Sequence, residues 1–85
     1  MTTPTSSTFD LLEAAQYGHP VSYMADNFTE HLLLDVADRG LVEVRHSGGG
    51  TVSMRWALRQ AGSAQRSELL RIHLTAAGRD FLQGA

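Results

Sequence analysis

The stretch FTEHLLLDVADRGLVEV, residues 28–44, decides the fold predicted for this chain. Within it, Gly40 is suited to the left-handed conformation that closes a helix. Apolar and polar residues then alternate, which is typical of a strand. Asp26 or Asn27 can cap the helix at its start. The stretch therefore predicts a helix that turns directly into a strand, and the helix would bury an apolar face made of Phe28, Leu32, Leu33, Val36 and Ala37.

A first helix is predicted upstream over residues 9–17, capped by Thr8 and ended by Gly18. Its apolar stripe recurs at helical spacing and consists of Leu11, Leu12 and Ala15. A break then precedes a short apolar segment over residues 21–25. The polar residues 1–7 are expected to form a disordered tail, which leaves the rest of the 85-residue chain for a single small domain.

Three antiparallel strands are predicted after Gly40. The first covers residues 41–45, and the sequence SGGG at residues 47–50 turns the chain into a second strand over residues 51–59. In that strand Trp56 is expected to be the buried anchor, since alternate residues share one face: Val52, Met54, Trp56 and Leu58.

A loop over residues 61–68 leads to the third predicted strand. There the apolar residues alternate with Arg71 and His73 and are expected to point inward: Leu70, Ile72 and Leu74. Thr75 can cap a final short helix over residues 76–82. The predicted fold class is therefore α+β.

This order of segments, with RGLV at residues 39–42 and LTAAGRDFL at residues 74–82, resembles the winged helix-turn-helix domain of MarR- and PadR-type transcriptional regulators. The likeness covers roughly residues 9–82. It implies a three-helix core, a small antiparallel sheet that forms the wing, and a short C-terminal helix. It also implies that the helix over residues 28–39 enters the DNA major groove, with the wing at residues 45–51 against the backbone or minor groove. The residues nearest the bases would be Asn27, Glu30, His31 and Leu34.

The charge distribution predicts a basic surface on the sheet. The formal net charge is −2, and all seven basic residues are arginines, the first at position 39 after six acidic residues. The strand register puts several of them on one polar face: Arg45, Arg55, Arg59 and Arg71, together with His73. This stripe is either a DNA-contacting surface or a solvated face whose arginines pair with nearby acids. The predicted DNA-binding set is Asn27, His31, Arg45, His46, Arg55, Arg59 and Arg71.

The acidic residues of the central helix keep a second function class open. Glu30, Asp35 and Asp38 fall on the side expected to face DNA, where carboxylates repel phosphates. We therefore expect a small DNA-binding regulator that contacts double-stranded DNA mainly through the wing and sheet. The alternative is a winged-helix protein–protein interaction module without DNA binding.

Composition and motifs exclude several other classes. Cysteine is absent, and no apolar run approaches the roughly 18 residues that a membrane span needs. The start of the chain lacks the pattern of a secretory signal, so a soluble, cytoplasmic protein is expected. His31 and Asp35, four residues apart, are interpreted as a helix-surface pair, since two ligands do not make a metal site. We expect no cofactor, no metal, no catalytic residues and no enzymatic activity.

A homodimer is expected through the terminal helices, over residues 9–17 and 76–82. Phe81 and Leu82 near the chain end need an apolar surface to cover them. Leu34 and Leu69 are further candidates for exposed apolar contacts. Two copies would also engage two DNA half-sites, which raises the affinity of so small a domain.

Overall fold

Three short helices precede the sheet in the computed structural model, which describes residues 7–61 and 69–84. They are α1 (Thr8–Ala15), α2 (Val21–Asn27) and α3 (Glu30–Asp38). The hydroxyl of Ser7 caps α1 by accepting from the Asp10 amide at 3.3 Å. Ser7 therefore takes the role predicted for Thr8, which is the first helical residue.

The cap of α3 also differs from the prediction. The Thr29 hydroxyl accepts from the Leu32 amide at 3.2 Å, so Thr29 caps the helix and neither Asp26 nor Asn27 does. The reason is that α2 continues to Asn27, two residues beyond the segment predicted from its apolar side chains. The backbone is extended at Phe28, whose side chain is buried in the core.

A three-stranded antiparallel sheet follows, as predicted. Its strands are β1 (Val42–His46), β2 (Thr51–Val52) and β3 (Leu70–Leu74), in the order β2-β1-β3. The loop at residues 47–50 joins β1 to β2, with Gly49 and Gly50 at φ of +103° and +83°, values that suit glycine. Pro20 forms a bridge to Arg71 on the other edge of β3.

The prediction of a strand over residues 51–59 is wrong. Strand β2 ends at Val52, and the chain forms helix α4 (Met54–Gln60). The Ser53 hydroxyl caps this helix by accepting from the Trp56 amide at 3.2 Å. The side chain of Trp56 is 44% exposed, so the prediction of a buried core anchor at this position is wrong.

The final helix, α5 (Ala76–Gly84), confirms the predicted position and its cap at Thr75. The Thr75 hydroxyl accepts from the Gly78 amide at 3.1 Å and also donates to the Gly40 carbonyl. The Thr75 amide in turn donates to the Leu41 carbonyl at 3.1 Å. The two sequence motifs that carried the resemblance thus meet directly and fix the end of α3 against the start of α5.

The core lies between the helices and one face of the sheet. It is formed by the residues that periodicity placed inward on α1, α3 and β3, together with contributions from α2 and α4. Fully buried members include Leu11, Leu12, Met24, Leu33, Val36, Val44, Leu70 and Ile72. Phe81 and Leu82, for which a dimer partner was expected, are half-buried and pack against this core.

Two predictions fall outside the described residues. These are the disordered tail predicted over residues 1–7, apart from Ser7, and the loop predicted over residues 61–68, apart from Ala61. Within residues 7–61 and 69–84, no helix has the length and apolar character needed to cross a membrane.

Candidate nucleic-acid interface

The exposed side of α3 is acidic. Glu30, His31, Asp35 and Asp38 are all solvent-exposed on this helix. Arg39, the residue after this helix, has its Nη1 3.3 Å from Asp35 Oδ2, so its charge is already compensated. Asp35 therefore pairs with Arg39 rather than with His31 as the sequence suggested. Three carboxylates and one paired arginine make this surface unfavourable for phosphate.

Two of the residues expected nearest the bases are engaged elsewhere. Asn27 lies at the end of α2, where its amide nitrogen donates to the Tyr23 carbonyl at 2.8 Å. Leu34 is half-buried and packs against the core, so it is not the exposed leucine that was predicted. It lines a groove of about 370 Å³ between α3 and the start of α4, which Asp38 and Arg55 also line.

Helix α4 presents a basic and aromatic face. Met54 and Ala57 are buried, whereas Arg55, Trp56 and Arg59 are exposed. We call these three residues the α4 face. Arg55 and Arg59 are four residues apart and so lie on the same side of the helix. Neither has an acidic partner among the residues that the structure describes.

The outer face of the sheet carries a second basic cluster, but the predicted stripe is not continuous. Arg45 lies directly opposite Arg71 in the β1–β3 register, and Glu43 lies opposite His73. Arg55 and Arg59, which were predicted to share this face, lie on α4 instead, because the chain leaves the sheet after Val52. The prediction of a single five-residue stripe is therefore wrong.

Hydrogen bonds hold the outer cluster in place. The Arg45 Nε donates to Glu43 Oε1 at 2.7 Å, and Arg71 Nη1 donates to the Gly18 carbonyl at 2.8 Å. Burial and the charge of Arg45 lower the pKa of His73 below its usual 6.5; Glu43 opposes this shift and Arg71 adds to it. The imidazole is therefore mainly uncharged at neutral pH, and the cluster owes its positive charge to arginine.

Arg79 belongs to the same region and was missed by the sequence reasoning. It lines a cleft with Arg45, His73 and Leu82, between the end of α1, the sheet and α5. The sequence did contain an indication of this position, because Arg79 is three residues before Leu82 and so lies beside the apolar side of α5. Placing it beside Arg45 requires the packing of α5 on the sheet, which the local pattern does not contain.

His46 lies at the base of the hairpin loop and is only half-buried. Its Nδ1 accepts from the Gly48 amide at 3.0 Å. It lines a small apolar hollow with Trp56, Leu69 and Leu70, and Leu69 is exposed as the sequence predicted. His46 thus supports the loop and borders the α4 face rather than the outer sheet cluster.

No group of three or more His, Asp or Glu side chains suited to a metal ion occurs within the described ranges, 7–61 and 69–84. Comparison of the chain with protein-family models, with curated proteins and with solved structures gave no match.

Proposed function

We propose that this protein is a small winged helix-turn-helix protein that binds double-stranded DNA through the α4 face, as part of transcriptional regulation. The observation that carries the proposal is the pair Arg55 and Arg59, which are exposed on one side of α4 and have no acidic partner among the described residues. Phosphate contacts by unpaired arginines supply most of the sequence-independent affinity for DNA.

The element order supports the architectural part of the proposal. Helices α2 and α3 are separated only by Phe28 and Thr29, as in a helix-turn-helix unit. Strand β3 pairs with β1 and also meets Pro20, which connects α1 to α2. In this interpretation the segment between β1 and β3 is an enlarged wing that includes α4.

The location of α4 supports its role as the contact element. Arg55 lines the groove beside the exposed end of α3, so the α4 face adjoins the surface that a helix-turn-helix usually presents to DNA. In addition, Trp56 on the same helix is exposed and offers a flat ring suited to apolar contact with sugar or base edges. The acidic side chains of α3 would then limit how deeply α3 enters the major groove of DNA.

Fluorescence anisotropy with a labelled mixed-sequence duplex at low salt tests the proposal. The double variant Arg55→Gln/Arg59→Gln should weaken binding at least tenfold, because two phosphate contacts are lost. Arg79→Gln/Arg71→Gln is the matched control, since it removes the same charge from the outer sheet cluster. It should weaken binding less than threefold.

Equal loss in both double variants would show that net charge alone governs binding and would contradict a specific role for α4. A wild-type protein without measurable affinity at low salt would contradict DNA binding altogether. Circular dichroism of each variant establishes that the fold is retained. Arg55, Arg59 and Arg79 are exposed and have no acidic partner among the described residues, so their replacement should leave the fold unaffected. Arg71 is exposed but donates to the Gly18 carbonyl, so the spectrum is decisive for the control variant.

A second candidate is a protein–protein interaction module. It is favoured by the hollow formed by His46, Trp56 and Leu69, because exposed tryptophan beside arginine is characteristic of protein-binding hot spots. Leu69→Gln, which adds no charge, discriminates the two functions. DNA affinity should change little if phosphate contacts dominate, whereas an interface centred on this hollow should be lost.

A further inference from the structure

A cleft on the outer side of the sheet has the features of a ligand site. It has a volume of about 300 Å³ and lies between the end of α1, the sheet and α5. That volume is at the lower end of the range for small-molecule sites. Three separate elements supply its polar groups: Gln16 from α1, Arg45 and His73 from the sheet, and Arg79 and Gln83 from α5.

The polar groups of the cleft are suited to an anion. Among the described residues that line it, none is acidic, and two are arginines. Arg79 has no acidic partner in the described part of the chain, while the Nε of Arg45 donates to Glu43 beside the cleft. Glu43 is the one carboxylate noted beside these two arginines, and Arg71 lies opposite Arg45, so the surroundings of the cleft are net positive and suited to an anion.

The uncharged groups narrow the class of ligand further. His73 has a lowered pKa and adds little positive charge at neutral pH, so it acts as a neutral hydrogen-bonding group. The amide of Gln83 can donate to oxygen atoms, and so can the second N–H of the Gln16 amide, whose nitrogen already donates to the Glu13 carbonyl at 3.2 Å. Leu82, with the neighbouring buried Leu74, provides apolar contact for a short hydrocarbon body.

We propose that this cleft binds a small organic carboxylate, with the carboxylate held by Arg79 and Arg45 and a short apolar body against Leu82. Arginine's planar fork matches the two oxygens of a carboxylate. The site is separate from the α4 face and does not depend on DNA binding.

Titration of the ¹⁵N-labelled protein with pentanoate tests the site. The amide signals of Gln16, His73, Arg79 and Gln83 should shift together and saturate. Arg79→Gln should weaken pentanoate binding about tenfold or more, which corresponds to about 1.4 kcal/mol for one charged hydrogen-bonding partner. Arg45→Gln is a second variant with the same expected direction.

The control ligands and the control variant decide the outcome. Pentanol, which lacks the charge, should bind at least tenfold more weakly than pentanoate. Inorganic phosphate, which lacks the apolar body, should also bind at least tenfold more weakly than pentanoate. Arg55→Gln, an equal loss of charge on α4, should leave pentanoate affinity unchanged. The proposal is overturned if pentanol matches pentanoate, if Arg79→Gln and Arg45→Gln both bind as the wild type does, or if the shifts fall outside the cleft.

Discussion

At the scale of single residues, a close contact joins the two sequence motifs, RGLV at residues 39–42 and LTAAGRDFL at residues 74–82. Gly78 packs against the Leu41 backbone, where a Cβ atom would overlap the carbonyl oxygen. The Thr75 hydroxyl bridges the same junction by donating to the Gly40 carbonyl and accepting from the Gly78 amide. Spacing alone identified Thr75 as a cap. It did not reveal that Gly78 has to be small because α3 ends against it.

Replacing Gly78 by alanine should therefore destabilise the protein. The new methyl group forces the start of α5 away from Leu41, and overpacking of this kind costs about 1–3 kcal/mol of the free energy of unfolding. Urea denaturation measures the change. Gly84→Ala is the matched control on the same helix, since nothing lies within 4 Å of its added Cβ, and equal destabilisation by both changes would contradict the close contact.

His73 should make stability sensitive to acid. Its pKa is lowered in the folded state by burial and by Arg45, so above about pH 6.5 both states hold a neutral imidazole. As the pH falls through 6.5 the unfolded state takes up the proton first, and the free energy of unfolding decreases until the lower folded pKa is passed. The stability lost between pH 7.5 and 5.5, measured by urea denaturation, should be smaller in His73→Gln than in the wild type. His31→Gln, a change of an exposed histidine on α3, should retain the wild-type loss; the same loss in His73→Gln would contradict the interpretation.

At the scale of elements, α4 shows where sequence reasoning failed and why. Residues 51–59 satisfy two periods at once, because Val52, Met54, Trp56 and Leu58 alternate while Met54, Ala57, Leu58 and Ala61 recur at helical spacing. The missed signal was Ser53 before Met, Ala, Leu, Arg and Gln, which favour helices. The helices α1, α3 and α5 and strand β3 were predicted because each has only one consistent period.

The cap of α4 is directly testable. Ser53→Ala removes the acceptor for the Trp56 amide and should cost about 1 kcal/mol in the free energy of unfolding. Ser47→Ala is the control, because Ser47 is exposed in the hairpin loop and caps no helix. An unchanged stability of Ser53→Ala in urea denaturation would indicate that this segment is not a capped helix in solution.

At the scale of the whole molecule, the arginines that the sequence assigned to one stripe occupy two surfaces. Arg45 and Arg71 remain on the outer face of the sheet, whereas Arg55 and Arg59 lie on α4. The sequence could predict that the arginines cluster, since acidic residues dominate the first part of the chain. It could not predict which surface they share, because that depends on where β2 ends.

Self-association is a further prediction at this scale. Phe9 on α1 is 41% exposed, and Phe81 on α5 is only half-buried, with the Arg39 guanidinium 5.5 Å from its ring centre. Helices α1 and α5 contact each other, and a second copy docking on α1 would cover Phe9. We expect a mass of two chains by light scattering at high concentration and of one chain in Phe9→Glu. A mass of one chain for the wild type would contradict the dimer.

The salt dependence of DNA binding shows whether the arginines of α4 contact DNA phosphates. Each phosphate contact contributes about 0.9 to the slope of log affinity against log salt concentration on duplex DNA. We predict that Arg55→Gln/Arg59→Gln lowers the magnitude of this slope by about two units on mixed-sequence DNA, because two α4 contacts are removed. A slope and an affinity equal to those of the wild type would contradict the claim that α4 is the DNA-binding element.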